Sequence, residues 1–190
     1  MISLLRPALT LLIALSLITG LAYPLITTGI ARLVFPSQAA GSLIERDGKA
    51  VGSLLIGQGF SEPKYFWSRP SATSPMPYNP LASGGSNLGP MNPALAQAIK
   101  DRVEALHAAD PGNSATVPAD LVYSSASGLD PHISIAAALY QAGRVARVRG
   151  LPVEQVRQLI DAQSQGTLLG FVGEPRVNVL ALNLALDAAH

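Results

Sequence analysis

The sequence predicts an α+β protein: a single N-terminal transmembrane helix followed by one soluble domain with a small antiparallel sheet and several helices. Three observations predict it. The run from Ala8 to Ile30 carries no charged side chain. No second run of that kind follows. Downstream, short apolar stretches bounded by Gly, Pro and Asn sit among segments with helical spacing, without internal repeats or the regular strand–helix–strand alternation of a parallel sheet.

The first element follows from length. At about 1.5 Å per residue, a helix over Ala8–Ile30 spans roughly 34 Å, enough for the hydrocarbon core of a bilayer. The expected organisation is a short tail at 1–7, a transmembrane helix at 8–31 and a folded domain at 32–190. A cleaved signal peptide would have a shorter apolar core and a small-x-small site directly after it. Ser37-Gln38-Ala39 has the right sizes but lies well downstream, so a retained anchor is expected. Gly20 and Pro24 are tolerable in a membrane helix. Ser16, Thr19, Thr27 and Thr28 are either helix-packing residues or simply cheap to insert. Arg6 and the terminal amine face Arg32, Arg46 and Lys49 across the run, so charge alone sets no orientation.

Composition excludes several classes. Overall, 13 Lys and Arg balance 12 Asp and Glu, and setting aside Arg6 and Arg32 leaves the rest about one charge negative. That balance does not suit nucleic acid. Cysteine is absent, which removes disulfides, thiolate metal sites and thiol nucleophiles.

The domain is expected to open with a hairpin over Ser42–Ile56. Leu43-Ile44 and Val51–Ile56 flank Asp47-Gly48, a dipeptide suited to a tight turn. Phe60–Asn92 is rich in Pro, Ser, Gly and Asn and has no period. Tyr65-Phe66-Trp67 and Tyr78 argue that this long loop is ordered rather than a disordered linker. Asn92-Pro93 starts a helix with Leu95, Ile99, Val103 and Leu106 on one face and Lys100, Asp101 and Glu104 off it; Asp110-Pro111-Gly112-Asn113 ends it. Asp120–Tyr123 reads as a short strand. A second helix runs from after Ser134 to Arg149. Arg144, Arg147 and Arg149 near its end either complement the helix dipole or contact an anion or partner. Gly150 closes that helix and Pro152 opens the next, with Val153, Val156, Leu159 and Ile160 inward, ending at Gly166. A strand is expected over 167–172. Asn178 caps a final helix whose Val179, Leu182 and Leu186 form one stripe and Leu180 and Leu184 another, a surface wide enough to need burial on more than one side.

Chemistry is sparse. The three histidines are His107, His132 and His190. Asp130-Pro131-His132 lacks a third metal ligand at a convincing spacing, and Asp130-Pro131 fits a helix-entry turn. The hydrolase pattern Gly-x-Ser-x-Gly does not occur. Ser83-Gly84-Gly85-Ser86-Asn87 invites a phosphate-loop reading through its backbone N–H groups, but lacks the Gly-Lys-Ser/Thr ending. The alternative is a tight turn with local side-chain bonds. A stand-alone membrane-anchored periplasmic enzyme or binding module stays open on these residues, and no catalytic residue or metal ligand is expected.

The chain resembles the KdpC family, the C subunit of the bacterial Kdp potassium-transporting ATPase. The resemblance rests on Ile18-Thr19-Gly20, Tyr23-Pro24-Leu25, Gly41-Ser42-Leu43-Ile44, Ile56-Gly57-Gln58 and Tyr65-Phe66. Its strongest block is Arg69-Pro70-Ser71-Ala72-Thr73, Pro77-Tyr78-Asn79-Pro80 and Ala82–Leu88. Val117-Pro118, Ser125–Asp130, Ile133-Ser134, Arg144-Val145-Ala146 and Val177–Asp187 extend it. It implies a non-catalytic subunit of an ATP-driven potassium importer. Its partners would be a channel-like potassium-binding subunit, a P-type ATPase subunit and a very small membrane subunit. It implies inner-membrane, single-pass localisation with a cytoplasmic N-terminus and a periplasmic domain over the potassium entrance. It also implies a chaperone-like effect on ATP affinity, with Ser83, Gly84, Gly85, Ser86 and Asn87 as the nucleotide candidates. A periplasmic domain does not meet cytoplasmic ATP, and the external placement is the expectation here.

Overall fold

The structure is a computed structural model that describes residues 2–167 and 170–189. It divides into two compact units, Met1–Val51 and Gly52–His190.

In the first unit, helix α1 (Ile2–Leu17) passes through a π-helical turn (Ile18–Ala22) into α2 (Tyr23–Val34). Pro24 explains the turn. It has no N–H to donate and its ring crowds the preceding carbonyls, so the ladder widens and the Tyr23 N–H donates to the Ile18 carbonyl five residues back. Thr19 and Thr27 donate their hydroxyls to the carbonyls of Leu15 (2.7 Å) and Tyr23 (2.9 Å), so each is satisfied inside its own helix. Leu4–Val34 has a mean hydropathy of 2.1 over its most apolar window and is long and apolar enough to cross a membrane. The helix begins earlier than the uncharged run, taking in Arg6 and Pro7.

A short turn of helix, α3 (Pro36–Ala39), leads to β1 (Leu43–Arg46) and β2 (Lys49–Ser53), a two-stranded hairpin. Asp47 (φ 53°) and Gly48 (φ 72°) both occupy the left-handed region, as a two-residue hairpin turn of matching twist requires.

In the second unit, α4 (Pro93–Ala109) starts where Asn92 accepts from the Ala94 N–H at 2.9 Å. The segment expected as a strand at Asp120–Tyr123 is instead a 3₁₀ turn, Ala119–Leu121. Pro118 fixes the turn's entry, and the Asp120 carboxylate accepts from Ser134 N–H (2.7 Å) and Oγ (3.1 Å), which holds the segment in toward the next strand. That strand, β3 (His132–Ser134), runs straight into α5 (Ile135–Arg149), with Ser134 as N-cap to Ala137. Helix α6 (Val153–Gln163) gives way at once to β4 (Ser164–Gln165), earlier than Gly166. The strand expected over 167–172 is not formed at Thr167 or Gly170-Phe171, and Leu168 and Leu169 lie outside the described residues, as does His190. The return strand is β5 (Arg176–Asn178), followed by α7 (Val179–Ala188) capped by Asn178 onto Ala181 N–H at 3.0 Å.

The sheet has the order β3-β5-β4 and is antiparallel, with Ile133 and Ser164 both opposite Val177. Strands of two or three residues carry no readable alternation, which is why the sequence pointed to a sheet but misplaced it. The core collects Phe66, Ile133, Val145, Val156, Ile160, Val177, Leu182 and Leu186. Ala137, Ala138, Ala142 and Ala146 on α5 keep its inner face thin where it packs on α6. Both stripes of α7 are largely covered: Leu180, Leu182 and Leu186 are buried, and Leu184 is half-buried.

Residues 63–67 cross this core without being a strand. Side chains supply the ladder that a neighbouring strand would. Asn183 Oδ1 accepts from Phe66 N–H (2.9 Å) and its Nδ2 donates to Phe66 O (3.0 Å). Gln141 does the same for Trp67, at 2.8 Å and 3.2 Å. Arg144 donates to Pro63 O (2.6 Å) and lies over the Trp67 ring at 4.7 Å. Arg149 donates to Lys64 O (2.8 Å), lies over Tyr65 at 5.0 Å and pairs with Asp187 at 2.7 Å. Two of the three clustered arginines therefore clamp the loop, a role neither sequence reading foresaw. Arg144 is 2% exposed, and burial lowers its pKa to about 10.

Candidate functional site

The polar residues of the densest sequence block build the loop itself. Ser71 Oγ donates to Gly128 O (2.7 Å) and accepts from Tyr78 N–H (2.8 Å). Thr73 Oγ1 donates to Met76 O (2.7 Å) and accepts from Asn79 N–H (3.0 Å). Asn79, itself buried, donates to Ser74 O and accepts from Leu81 N–H. Tyr78 sits at φ 56° and donates its hydroxyl to Arg69 O; burial raises its pKa. This network holds an irregular segment in one shape, because the hydroxyls and amide replace the backbone bonds that the loop cannot make to itself. At its tip Leu81 stands 94% exposed, with Met91 at 93%.

Ser83–Asn87, the nucleotide candidate, lies against residues 125–128. Gly84 N–H and Ser83 Oγ both donate to Ser127 O, at 2.9 Å and 3.0 Å. Gly85 abuts Ala126, and Asn87 turns the chain at φ 52°. Two groups that a phosphate would recruit are thus engaged within the fold.

A cleft of about 660 Å³ adjoins the loop base, lined by Arg69, Asp120, Tyr123, Asp130, His132 and Glu174 among others. Arg69 Nη1 lies 3.4 Å from Asp130 Oδ2, and His132 Nδ1 lies 3.3 Å from Asp130 Oδ1. The backbone N–H of His132 also donates to Asp130, at 3.0 Å. Burial alone would push the Asp130 carboxyl up. The side-chain and backbone bonds from His132, with Arg69 nearby, outweigh it and hold the carboxyl below its ordinary 3.8. A folded-state value below the unfolded one stabilises the fold above about pH 4, and that contribution fades as pH falls through the folded value. Acid titration of the detergent-solubilised chain, followed by circular dichroism, should show stability falling below about pH 4, and Asp130→Asn should flatten the fall. Asp120 is occupied in capping Ser134, and among the described residues no group of three His, Asp or Glu side chains gathers as a metal-holding cluster. The sequence pointed to Asp130-Pro131 as a helix-entry turn, whereas the dipeptide leads into β3, and it missed Arg69, which lies 61 positions away from Asp130 in sequence.

One helix long and apolar enough to cross a membrane, followed by a domain whose polar side chains go into fixing a loop surface, defines the class of single-span membrane proteins. The family model described as "K+-transporting ATPase, c chain" matches residues 5–188, and the chain belongs to that family. It is therefore an accessory rather than a catalytic subunit, with a role in a potassium-transport complex, and a single-pass membrane protein. A potassium-transporting ATPase KdpC subunit of Polaromonas naphthalenivorans is 68% identical, covering 98% of this chain and 95% of that relative. One from Variovorax paradoxus is also 68% identical, over 97% and 95%. One from Sorangium cellulosum is 61% identical over the full length of both.

Proposed function

We propose that the chain is an accessory subunit of an ATP-driven potassium importer, holding its domain outside the cytoplasm and docking it on the channel-like subunit. It aids assembly and shapes potassium access, while the ATPase subunit hydrolyses ATP and the very small subunit lies in the membrane beside it. The anchor, over 8–31, packs among the partners' membrane helices and leaves 1–7 in the cytoplasm and 32–190 in the periplasm. No cofactor is assigned to the chain, and potassium is the cargo of the complex. The observation that carries this reading is the loop of residues 65–92: irregular, fixed by buried side-chain bonds, and displaying large apolar side chains at its tip. A rigid scaffold that exposes such residues suits recognition of another protein.

Leu81→Asp tests it. The side chain is fully outside the fold, so thermal stability should stay within about 0.5 kcal/mol of wild type. Recovery of the transport subunits with the affinity-tagged chain in mild detergent should fall severalfold. Unchanged recovery would remove the loop tip from the interface. A reporter fused after His190 tests the placement, with periplasmic activity expected. Cytoplasmic activity would return Ser83–Asn87 to consideration as an ATP contact.

A further inference from the structure

The middle of α5 presents a feature that the fold does not need. Gly143 lies in the helix interior, where glycine is less favourable than alanine because it loses more backbone freedom on folding. A Cβ built there would meet nothing within 4 Å, so no internal crowding demands the glycine. It lines a hollow of about 350 Å³ that also takes in Asp110, Tyr140, Arg147, Val153 and Arg157. Tyr140 is 9% exposed, and among the described residues its hydroxyl is the one buried side-chain polar atom without a hydrogen-bond partner. That hydroxyl lies in the field of Asp110, another wall of the hollow. Buried polar atoms are normally paired, and an orphan beside a cavity marks a missing acceptor.

The charges indicate what is missing. Arg147 bonds Asp110 at 2.6 Å, yet 60% of its side chain remains exposed. Arg157 has 54% of its side chain exposed and, among the described residues, contacts the exposed Glu154 at 3.3 Å. Two guanidinium groups with open faces, a hydroxyl donor and a bare stretch of helix backbone suit a carboxylate carried on a closely approaching chain. None of the hollow's residues belongs to the loop of residues 65–92.

We propose that this hollow is a second docking face, which receives an acidic side chain from a partner subunit of the transport complex. It rests on the reading of the chain as an accessory subunit. The test uses the full chain co-expressed with its transport subunits and purified by affinity in mild detergent. Gly143→Met fills the hollow while favouring the helix, so it should melt no lower than wild type yet lose about tenfold in retained partner subunits, as removal of a central contact does. Tyr140→Phe and Arg157→Glu should also hold the melting temperature and lose retention, and they carry the test if Gly143→Met folds poorly. A photo-crosslinking residue at position 143 should capture one transport subunit. Variants recovered with wild-type amounts of partner, and no crosslink, overturn the docking face alone. A wild-type chain that retains no transport subunit overturns it together with the accessory reading.

Discussion

Asn183→Leu is expected to cost the domain about 2–6 kcal/mol of unfolding free energy. Leucine has as many side-chain heavy atoms as asparagine and is somewhat bulkier, so the loss is not a cavity effect. What goes is the pair of bonds to Phe66 N–H and C=O, at 2.9 Å and 3.0 Å, beneath a Phe66 side chain that is wholly buried. Each backbone group left without a partner in the interior costs about 1–3 kcal/mol. Gln141→Leu should have a comparable effect, with an added loss because its Oε1 also accepts from Arg144 at 2.7 Å. Because the two amides clamp adjacent residues of one segment, the double variant should show coupling rather than simple addition. Denaturant unfolding of the detergent-solubilised chain measures all three, with exposed Gln97→Leu as the control that stays within about 0.5 kcal/mol. A loss below about 1 kcal/mol for Asn183→Leu would mean that its two bonds to Phe66 contribute little and that packing and the Gln141, Arg144 and Arg149 contacts hold residues 63–67.

The same clamp shows where sequence reading stops. The helices were legible because their signals are local: Asn92 and Asn178 cap them as expected, Ser134 caps the helix expected to begin after it, and the apolar stripes of α4, α6 and α7 face inward except at Val153, which was expected inward but is 40% exposed in the first turn of α6. The Asp47-Gly48 turn was legible for the same reason. Aromatics in the long loop announced order, and Phe66 became a core residue. What ordered the loop was not visible, since Asn183 lies 117 positions from Phe66 and Arg144 lies 81 from Pro63. A buried Asn or Gln on a helix looks in sequence like a surface residue. The arginines misled for a related reason: clustering near a helix end suggests dipole or anion chemistry, whereas their fork geometry serves loop carbonyls. Short strands paired across distance, such as Ile133 with Val177, leave no periodic trace. For the candidate site, the tight turn expected at Ser83–Asn87 is not formed: neither glycine takes a positive φ, and Ser83 bonds Ser127 O, 44 positions on, rather than local backbone, a contact that depends on tertiary structure.

That contact makes Gly128→Ala the second change with a large expected effect. Gly128 is buried and sits at φ 66°, a conformation that costs a residue with a Cβ about 1–2 kcal/mol. The added carbon would also lie 2.5 Å from the Thr73 methyl and 2.7 Å from the Gly84 carbonyl oxygen. The methyl can rotate, but the carbonyl is backbone, so relief requires Gly84 to move and its bond to Ser127 O to break. Losing one or two such bonds, at about 1 kcal/mol each, brings the total to roughly 2–4 kcal/mol. Limited proteolysis should then cut within residues 80–90, and retention of partner subunits should fall with it. Gly84→Ala is the informative companion, because a Cβ there meets nothing within 4 Å and stability should hold. If Gly84→Ala also leaves ATP use and partner retention untouched, the segment acts as a brace for the loop. A selective loss of ATP affinity at full stability would instead mean that phosphate approaches this backbone closely, since only glycine leaves room for it.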